Sequence, residues 1–141
     1  MNPINSIQDE IIEEFAFFGD WMEKYEYIID LGKSLPLIDE QYKDEDHLIK
    51  GCQSQVWLHA DEAEGKVSFT ADSDAVITKG IIALLVRVLS GQKAEEIAQA
   101  DLYFIDKIGL KEHLSPTRSN GLVSMVRQMK MYGLAINAKS Q

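Results

Sequence analysis

The sequence predicts an α+β fold in which a small three-stranded antiparallel sheet packs against helices. Apolar residues recur at helical spacing before residue 36 and after residue 74, whereas residues 47–71 contain short runs with strand character. The connections between those runs are too short for crossovers, so neighbouring strands should pair antiparallel. The length and the lack of repeats lead us to expect a single domain over residues 1–141.

Two amphipathic helices are predicted ahead of the strands. The first begins near Ser6, and its apolar stripe runs to the breaker Gly19. Asp20 is placed to start a second helix, which Gly32 and Pro36 close. The polar segment that follows has no clear periodicity, and we expect it to be a connector.

The three predicted strands lie in the middle of the chain. Their sequences are HLIK, QVWLHA and KVSFTA, and the turn-like DEAEG separates the last two. Between the first two lies the stretch GCQS, in which Gly51 permits backbone angles that are closed to other residues. We therefore expect Cys52 on a loop tip between paired strands.

Helices are predicted again in the rest of the chain. The run VITKGIIALLVRVLSG is apolar over more than half of the helix circumference, which indicates a core helix ended by Gly91. Two brief helical pieces are expected at 94–100 and 101–108. A final helix should begin at SPTRSNG, with Ser115 as its cap and Pro116 in its first turn.

Composition narrows the classes of partner. The chain has 23 acidic and 14 basic side chains and a net charge of −9, which disfavours binding to nucleic acid or to anionic membranes. The acidic N-terminus does not resemble a secretory leader, and Arg87 interrupts the longest apolar window. A single cysteine allows no internal disulfide, so we expect a cytoplasmic protein.

Cys52 has two interpretations. Unpaired cysteines are among the most buried residues and often only fill space. The neighbours of this one are small and polar, however, and they lie in a predicted turn: Gly51, Gln53, Ser54 and Gln55. These neighbours favour a thiol that is presented for chemistry.

The chemistry open to such a thiol is limited by its partners in the sequence. None of the histidines at 47, 59 and 113 lies in a known nucleophile motif, which disfavours a free-standing cysteine hydrolase or peroxidase. A dithiol redox site would need a second cysteine, and the scattered histidines lack metal-ligand spacing. What remains is acceptance of a group from a partner protein and its transfer onward.

Several motifs in order resemble the SufE family of sulfur-acceptor proteins. They cover most of the chain from the second helix onward: YEYIIDLGKSLP at 25–36, GCQSQVWL at 51–58, ADSDAVITKGIIALL at 71–85 and HLSPTRSNGL at 113–122. The resemblance implies a fold similar to IscU-type scaffolds. It also implies that Cys52 receives sulfur as a persulfide, as a sulfurtransferase-type partner and not as a stand-alone enzyme.

The resemblance also implies the partners. The sulfur donor would be a cysteine desulfurase of the SufS type, which this chain would stimulate, and the acceptor would be an iron–sulfur scaffold such as a SufB-type complex. Pyridoxal phosphate would belong to the desulfurase, and no cofactor or metal is expected here. An alternative is a non-catalytic adaptor that activates the desulfurase allosterically, with Cys52 incidental.

Other residues are candidates for supporting or partner-binding roles. Gln53, Ser54 and Gln55 are expected to donate hydrogen bonds to the loop or to the transferred sulfur. Arg118 matches the arginine of the SPTRSNG motif and would stabilise a thiolate or persulfide anion or contact the partner; the alternative is an arginine at the helix start that only meets solvent.

Two carboxylates precede the core helix. Asp72 and Asp74 are placed to cap its N-terminus. The alternative is that this stretch holds the cysteine loop in place.

Overall fold

The computed structural model describes residues 3–139. The helices are α1 (Pro3–Ala16), α2 (Trp21–Gly32), α3 (Val76–Leu89), α4 (Ala94–Gln99), α5 (Phe104–Lys107) and α6 (Pro116–Lys139). The strands are β1 (Val56–Ala63), β2 (Lys66–Ser73) and β3 (Gln92–Lys93). Short 3-10 turns occur at Glu40–Tyr42, Glu45–His47 and Lys111–His113. The strands form one antiparallel sheet in the order β1-β2-β3, which confirms the predicted α+β class.

The sheet is built mainly from one hairpin. β1 and β2 pair in register from Val56 opposite Ser73 to Ala63 opposite Lys66. Burial alternates along both strands, so one face of the sheet packs on the helices while the other is more exposed. β3 adds only a short edge, which follows Gly91 at the end of the core helix.

The prediction that HLIK forms the first strand is wrong. Leu48 makes only one isolated bridge, to Trp57, and the chain before it is a 3-10 turn. The Asp44 side chain accepts a hydrogen bond from the backbone N–H of His47, 3.1 Å away, and also contacts its ring. This local bonding gives the backbone an alternative to a strand ladder. The third strand of the sheet is instead β3.

Helix α3 is the centre of the core. It is buried around most of its circumference and packs against α1, α2, β2 and α6. Arg87 lies at the edge of this helix, where its guanidinium donates to both carboxylate oxygens of Glu14 at 2.8 and 2.6 Å. The hydrogen bonds from Arg87 lower the pKa of Glu14 despite its partial burial. This ion pair joins α1 to α3.

The crossing of α2 and α3 requires glycine. A Cβ atom on Gly80 would lie 2.1 Å from the carbonyl oxygen of Ile28, and one on Gly32 would lie 3.0 Å from the backbone nitrogen of Gly80. Both obstacles are backbone atoms, which cannot turn aside as a side chain can. The two helices therefore pack at a distance that no other residue at position 80 allows.

Two of the predicted helix caps, Asp20 and Ser115, are confirmed. The Asp20 carboxylate accepts a hydrogen bond from the backbone N–H of Glu23 at 2.9 Å, and the Ser115 hydroxyl accepts from that of Arg118 at 3.3 Å. The first helix begins at Pro3, earlier than the predicted start near Ser6, because proline fits the first turn of a helix.

Replacing Gly80 by alanine should destabilise the protein. Because the added methyl group meets backbone, we expect Gly80→Ala to lower the free energy of unfolding by about 3 kcal/mol. Gly19→Ala is the matched control, since its Cβ would contact only the flexible end of Glu23 at 3.6 Å. Urea denaturation measures both, and similar stability for the two variants would show that the crossing is not constrained at Gly80.

Candidate functional site

The cysteine lies on a short loop that leads into β1. The base of this loop is closed by the bridge between Leu48 and Trp57 and by a 2.8 Å hydrogen bond from the backbone N–H of Ile49 to the carbonyl of Val56. Gly51 has φ of 92°, a conformation that L side chains rarely adopt. The structure thus has the predicted loop, although a single bridge replaces the paired strands expected beside it.

The loop is seated on helix α6. The Cys52 thiol donates a hydrogen bond to the carbonyl of Gly121, with Sγ 3.6 Å from the oxygen. One turn further along α6, the Ser124 hydroxyl lies so close to Gly51 that a Cβ atom there would be 2.5 Å from its oxygen. Two glycines, one in the loop and one in the helix, therefore allow the close contact.

Burial disfavours ionisation of the Cys52 thiol. Cys52 is half-buried and packs against the edge of the hydrophobic core. Burial raises the pKa of the thiol, because the charged thiolate loses its solvation there. The protonated thiol is the less reactive form of a cysteine.

Asp74 holds the far end of the loop. Its carboxylate accepts a 3.0 Å hydrogen bond from the backbone N–H of Gln55, and its own N–H donates to the Gln55 carbonyl at 3.3 Å. The cap position of α3 is occupied by Ala75, and no side chain caps that helix. The predicted capping role is therefore wrong, and the contacts of Asp74 match the alternative in which this stretch holds the cysteine loop.

Asp72 is also not a cap. Its carboxylate lies 2.8 Å from the Lys43 ammonium and 3.3 Å from that of Lys79. Burial alone would raise the pKa of Asp72, but the two lysines and the Ser73 N–H together hold it below its usual value. These ion pairs link the connector before the cysteine loop to β2 and α3.

Cys52 borders a cavity of about 220 Å³. The lining comes from the cysteine loop, α3 and the start of α6: Cys52, Gln53, Ser54, Thr78, Ile81, Ser115, Thr117, Arg118, Gly121 and Met125. The structure thus brings four of the predicted site residues to one place, since Cys52, Gln53, Ser54 and Arg118 share this cavity. Gly51, Gln55 and Asp74 instead position the loop.

Thr78 and Gly121 are site residues that the sequence did not reveal. Thr78 lies within the apolar run of the core helix, and Gly121 lies inside the motif used to predict the last helix. Neither has a local signal, because each is defined by its contact with a loop that is distant in sequence.

The histidines lie elsewhere. His59 stacks on Tyr42 with ring centroids 3.8 Å apart, and His47 packs beside both rings. His113 stacks on Trp21 at 4.0 Å. No histidine lines the cavity of Cys52, so the described residues offer the thiol no imidazole base.

The described residues contain no candidate metal site and no candidate membrane span. Among residues 3–139 there is no cluster of histidine, cysteine and carboxylate residues suited to a metal ion. Within the same residues no helix is both long and apolar enough to cross a bilayer.

Comparisons with known proteins agree with the family resemblance of the sequence motifs. The family model SufE, described as an Fe–S metabolism associated domain, matches residues 9–133. An uncharacterized SufE-like protein of Rhizobium meliloti is 44% identical over 127 residues, which cover 86% of this chain and 91% of the relative. SufE-like protein 1 of Arabidopsis thaliana, named as chloroplastic/mitochondrial, is 40% identical, and the match spans 100% of this chain but 39% of the plant protein.

A solved structure shares the fold. The solution structure of a hypothetical protein from Thermus thermophilus superposes with a TM-score of 0.79 and covers 98% of this chain and 99% of its own. Its sequence identity is 21%, so this likeness concerns the fold alone.

The reactivity of Cys52 should depend on folding. Because burial raises its pKa, the rate of alkylation by iodoacetamide should reach half its maximum at a higher pH in the folded chain than in urea. The unfolded chain loses this proton first, so the free energy of unfolding should fall as the pH rises from the unfolded pKa to the folded one. Equal midpoints in the two states would contradict a buried thiol.

Releasing the loop from Asp74 should expose the thiol. We expect Asp74→Ala to speed alkylation of Cys52 severalfold at neutral pH, because the Gln55 N–H loses its acceptor. Asp74→Asn is the matched control, since its amide oxygen can accept the same hydrogen bond. If both variants react like the unchanged protein, the tether does not limit access.

Proposed function

The chain belongs to the SufE family, whose domain is associated with Fe–S metabolism, and we propose that it is a sulfur acceptor and carrier for iron–sulfur cluster assembly. In this proposal, Cys52 takes sulfur from the persulfide of a cysteine desulfurase and passes it to a cluster scaffold. The observation that carries the proposal is the placement of the single cysteine of the chain, on a loop that borders a cavity with an arginine but no imidazole.

The proposed transfer is a thiol exchange. The Cys52 thiolate attacks the outer sulfur of the donor persulfide, a new S–S bond forms at Cys52, and the desulfurase cysteine leaves as a thiolate. The thiol proton passes to a base of the partner, because none of the described residues that line the cavity is a base. Pyridoxal phosphate, which generates the persulfide, is proposed for the partner alone.

Docking must change the state of the loop. In the resting structure the thiol is half-buried and its pKa is raised, and both features slow exchange. Only weak contacts hold the loop in this position, however. They are a thiol hydrogen bond to Gly121, the contact of Gly51 with Ser124 and the hydrogen bond between Gln55 and Asp74. We expect these contacts to break when the desulfurase docks, so that Cys52 swings outward.

Arg118 would stabilise the sulfur after its transfer to Cys52. Arg118 lines the cavity, and a cation near the transferred sulfur would favour a thiolate or a persulfide anion over the protonated form. Gln53 and Ser54 line the same cavity and can donate hydrogen bonds to the bound sulfur.

One observation favours the second candidate, an adaptor that activates the desulfurase without accepting sulfur. A half-buried thiol with a raised pKa is also what a cysteine that only fills space would show.

The identities of the partners and the location of the protein stay predictions: the SufS-type donor, the SufB-type scaffold and the cytoplasm.

Intact-protein mass spectrometry tests the acceptor role. After incubation with a cysteine desulfurase and cysteine, the chain should gain the mass of one or more sulfur atoms, and peptide mapping should place them on Cys52. Cys52→Ser is the matched control and should gain none. An unchanged mass in the original chain would remove the carrier proposal.

The same variant separates carrier from adaptor. If Cys52 removes the persulfide product, Cys52→Ser should bind the desulfurase but should not raise its turnover with cysteine. Stimulation by Cys52→Ser equal to that of the original chain would establish the adaptor in its place.

A further inference from the structure

We propose that the cavity beside Cys52 is a binding site for a small tetrahedral oxyanion such as sulfate or phosphate. Its ligands would be the Arg118 guanidinium, the Thr78 hydroxyl and the first turn of α6, because Thr78, Thr117 and Arg118 line the cavity. This site uses the same cavity as the proposed sulfur transfer, but it does not depend on that function.

The charge of the cavity wall differs from that of the whole chain. The chain as a whole carries a net charge of −9, which repels anions. Among the lining residues, however, Arg118 is the one charged side chain and none is a carboxylate. Within residues 3–139, no carboxylate forms an ion pair with it. A guanidinium without a partner matches oxyanions well, because its planar fork can donate two parallel hydrogen bonds.

The start of α6 supplies a second favourable group. This helix has 24 residues, and Ser115, Thr117 and Arg118 at its start line the cavity. The positive end of a long helix attracts anions, and the first N–H groups have no partner within the helix. The Ser115 hydroxyl takes up the N–H of Arg118, which leaves that of Thr117 available to a ligand.

The buried hydroxyl of Thr78 also points to a ligand in the cavity. The residue is only 6% exposed, yet its hydroxyl forms no hydrogen bond to any described residue. Every fully enclosed side-chain oxygen or nitrogen among the described residues has a partner, so the Thr78 hydroxyl is not fully enclosed. Because Thr78 lines this cavity, the geometry directs the free donor of its hydroxyl to what the cavity holds. An oxygen atom bound in the cavity would accept its hydrogen bond.

The cavity has room for such an anion. Its volume of about 220 Å³ is several times that of a water molecule, about 30 Å³. An anion held by Arg118 and Thr78 would occupy the space next to the Cys52 sulfur. It would therefore hinder any reagent that approaches the thiol through the cavity.

Protection of the thiol tests the proposal. The rate of alkylation of Cys52 by iodoacetamide, an uncharged reagent, is measured against sulfate and, separately, phosphate, with chloride holding the ionic strength constant. We expect a saturable slowing of about fivefold, and the lower half-saturating concentration identifies the preferred oxyanion.

Four variants assign the effect to the cavity. Arg118→Ala should abolish the protection and Thr78→Val should weaken it, whereas Thr78→Ser, which keeps the hydroxyl, should retain it. Arg127→Ala is the charge control, because this exposed residue of α6 does not line the cavity. Circular dichroism verifies that each variant is folded.

Two outcomes would overturn the proposal. One is the absence of protection by either anion in the folded chain. The other is protection that is not saturable, or that persists in Arg118→Ala and Thr78→Val, which would reflect a salt effect on the whole protein. Sulfur loading by a desulfurase is measured without oxyanion, so failure of the sulfur-carrier function would leave the protection result unaffected and is recognised separately.

Discussion

The close approach of α2 to Gly80 of α3 is the constraint on which the rest of the structure depends. Because a Cβ atom at that point would meet the carbonyl of Ile28, the absence of a side chain fixes how deeply α3 lies in the core. The sheet and α6 then pack on the remaining faces of α3. Thr78 and Ile81, which flank Gly80 in sequence, line the cavity of Cys52. The packing of the core thereby sets the wall of the site.

The cysteine loop leaves the Cys52 thiol partly protected from oxidation and partly accessible to a partner. An exposed thiol that ionises easily would be oxidised, whereas a deeply buried one could not meet a partner. In this protein, burial raises the pKa of Cys52, while few contacts hold the loop. The cavity beside the thiol is lined by one arginine and by no carboxylate, although the chain as a whole is acidic. In the proposed function, a movement of this one short loop would separate protection from reactivity.

Most of the fold could be predicted, because its signals are local. The caps at Asp20 and Ser115 and the end of the core helix at Gly91 each depend on contacts within a few residues. The strand predicted at HLIK failed because side-chain bonding by Asp44 competes with strand pairing. The strand Gln92–Lys93 is too short to show the alternation of apolar and polar residues that predicts a strand. Only its pairing with β2 makes it a strand.

The sequence by itself determined the type of site: a single cysteine in a small, polar turn after Gly51, within motifs that resemble one family. Only the tertiary structure decided the surroundings of that cysteine. It placed Cys52 against Gly121, which lies 69 residues away, and directed Asp74 to the loop and not to the helix start. Helical and turn signals act over three or four residues, whereas burial and the approach of a distant helix are set by how the elements pack together.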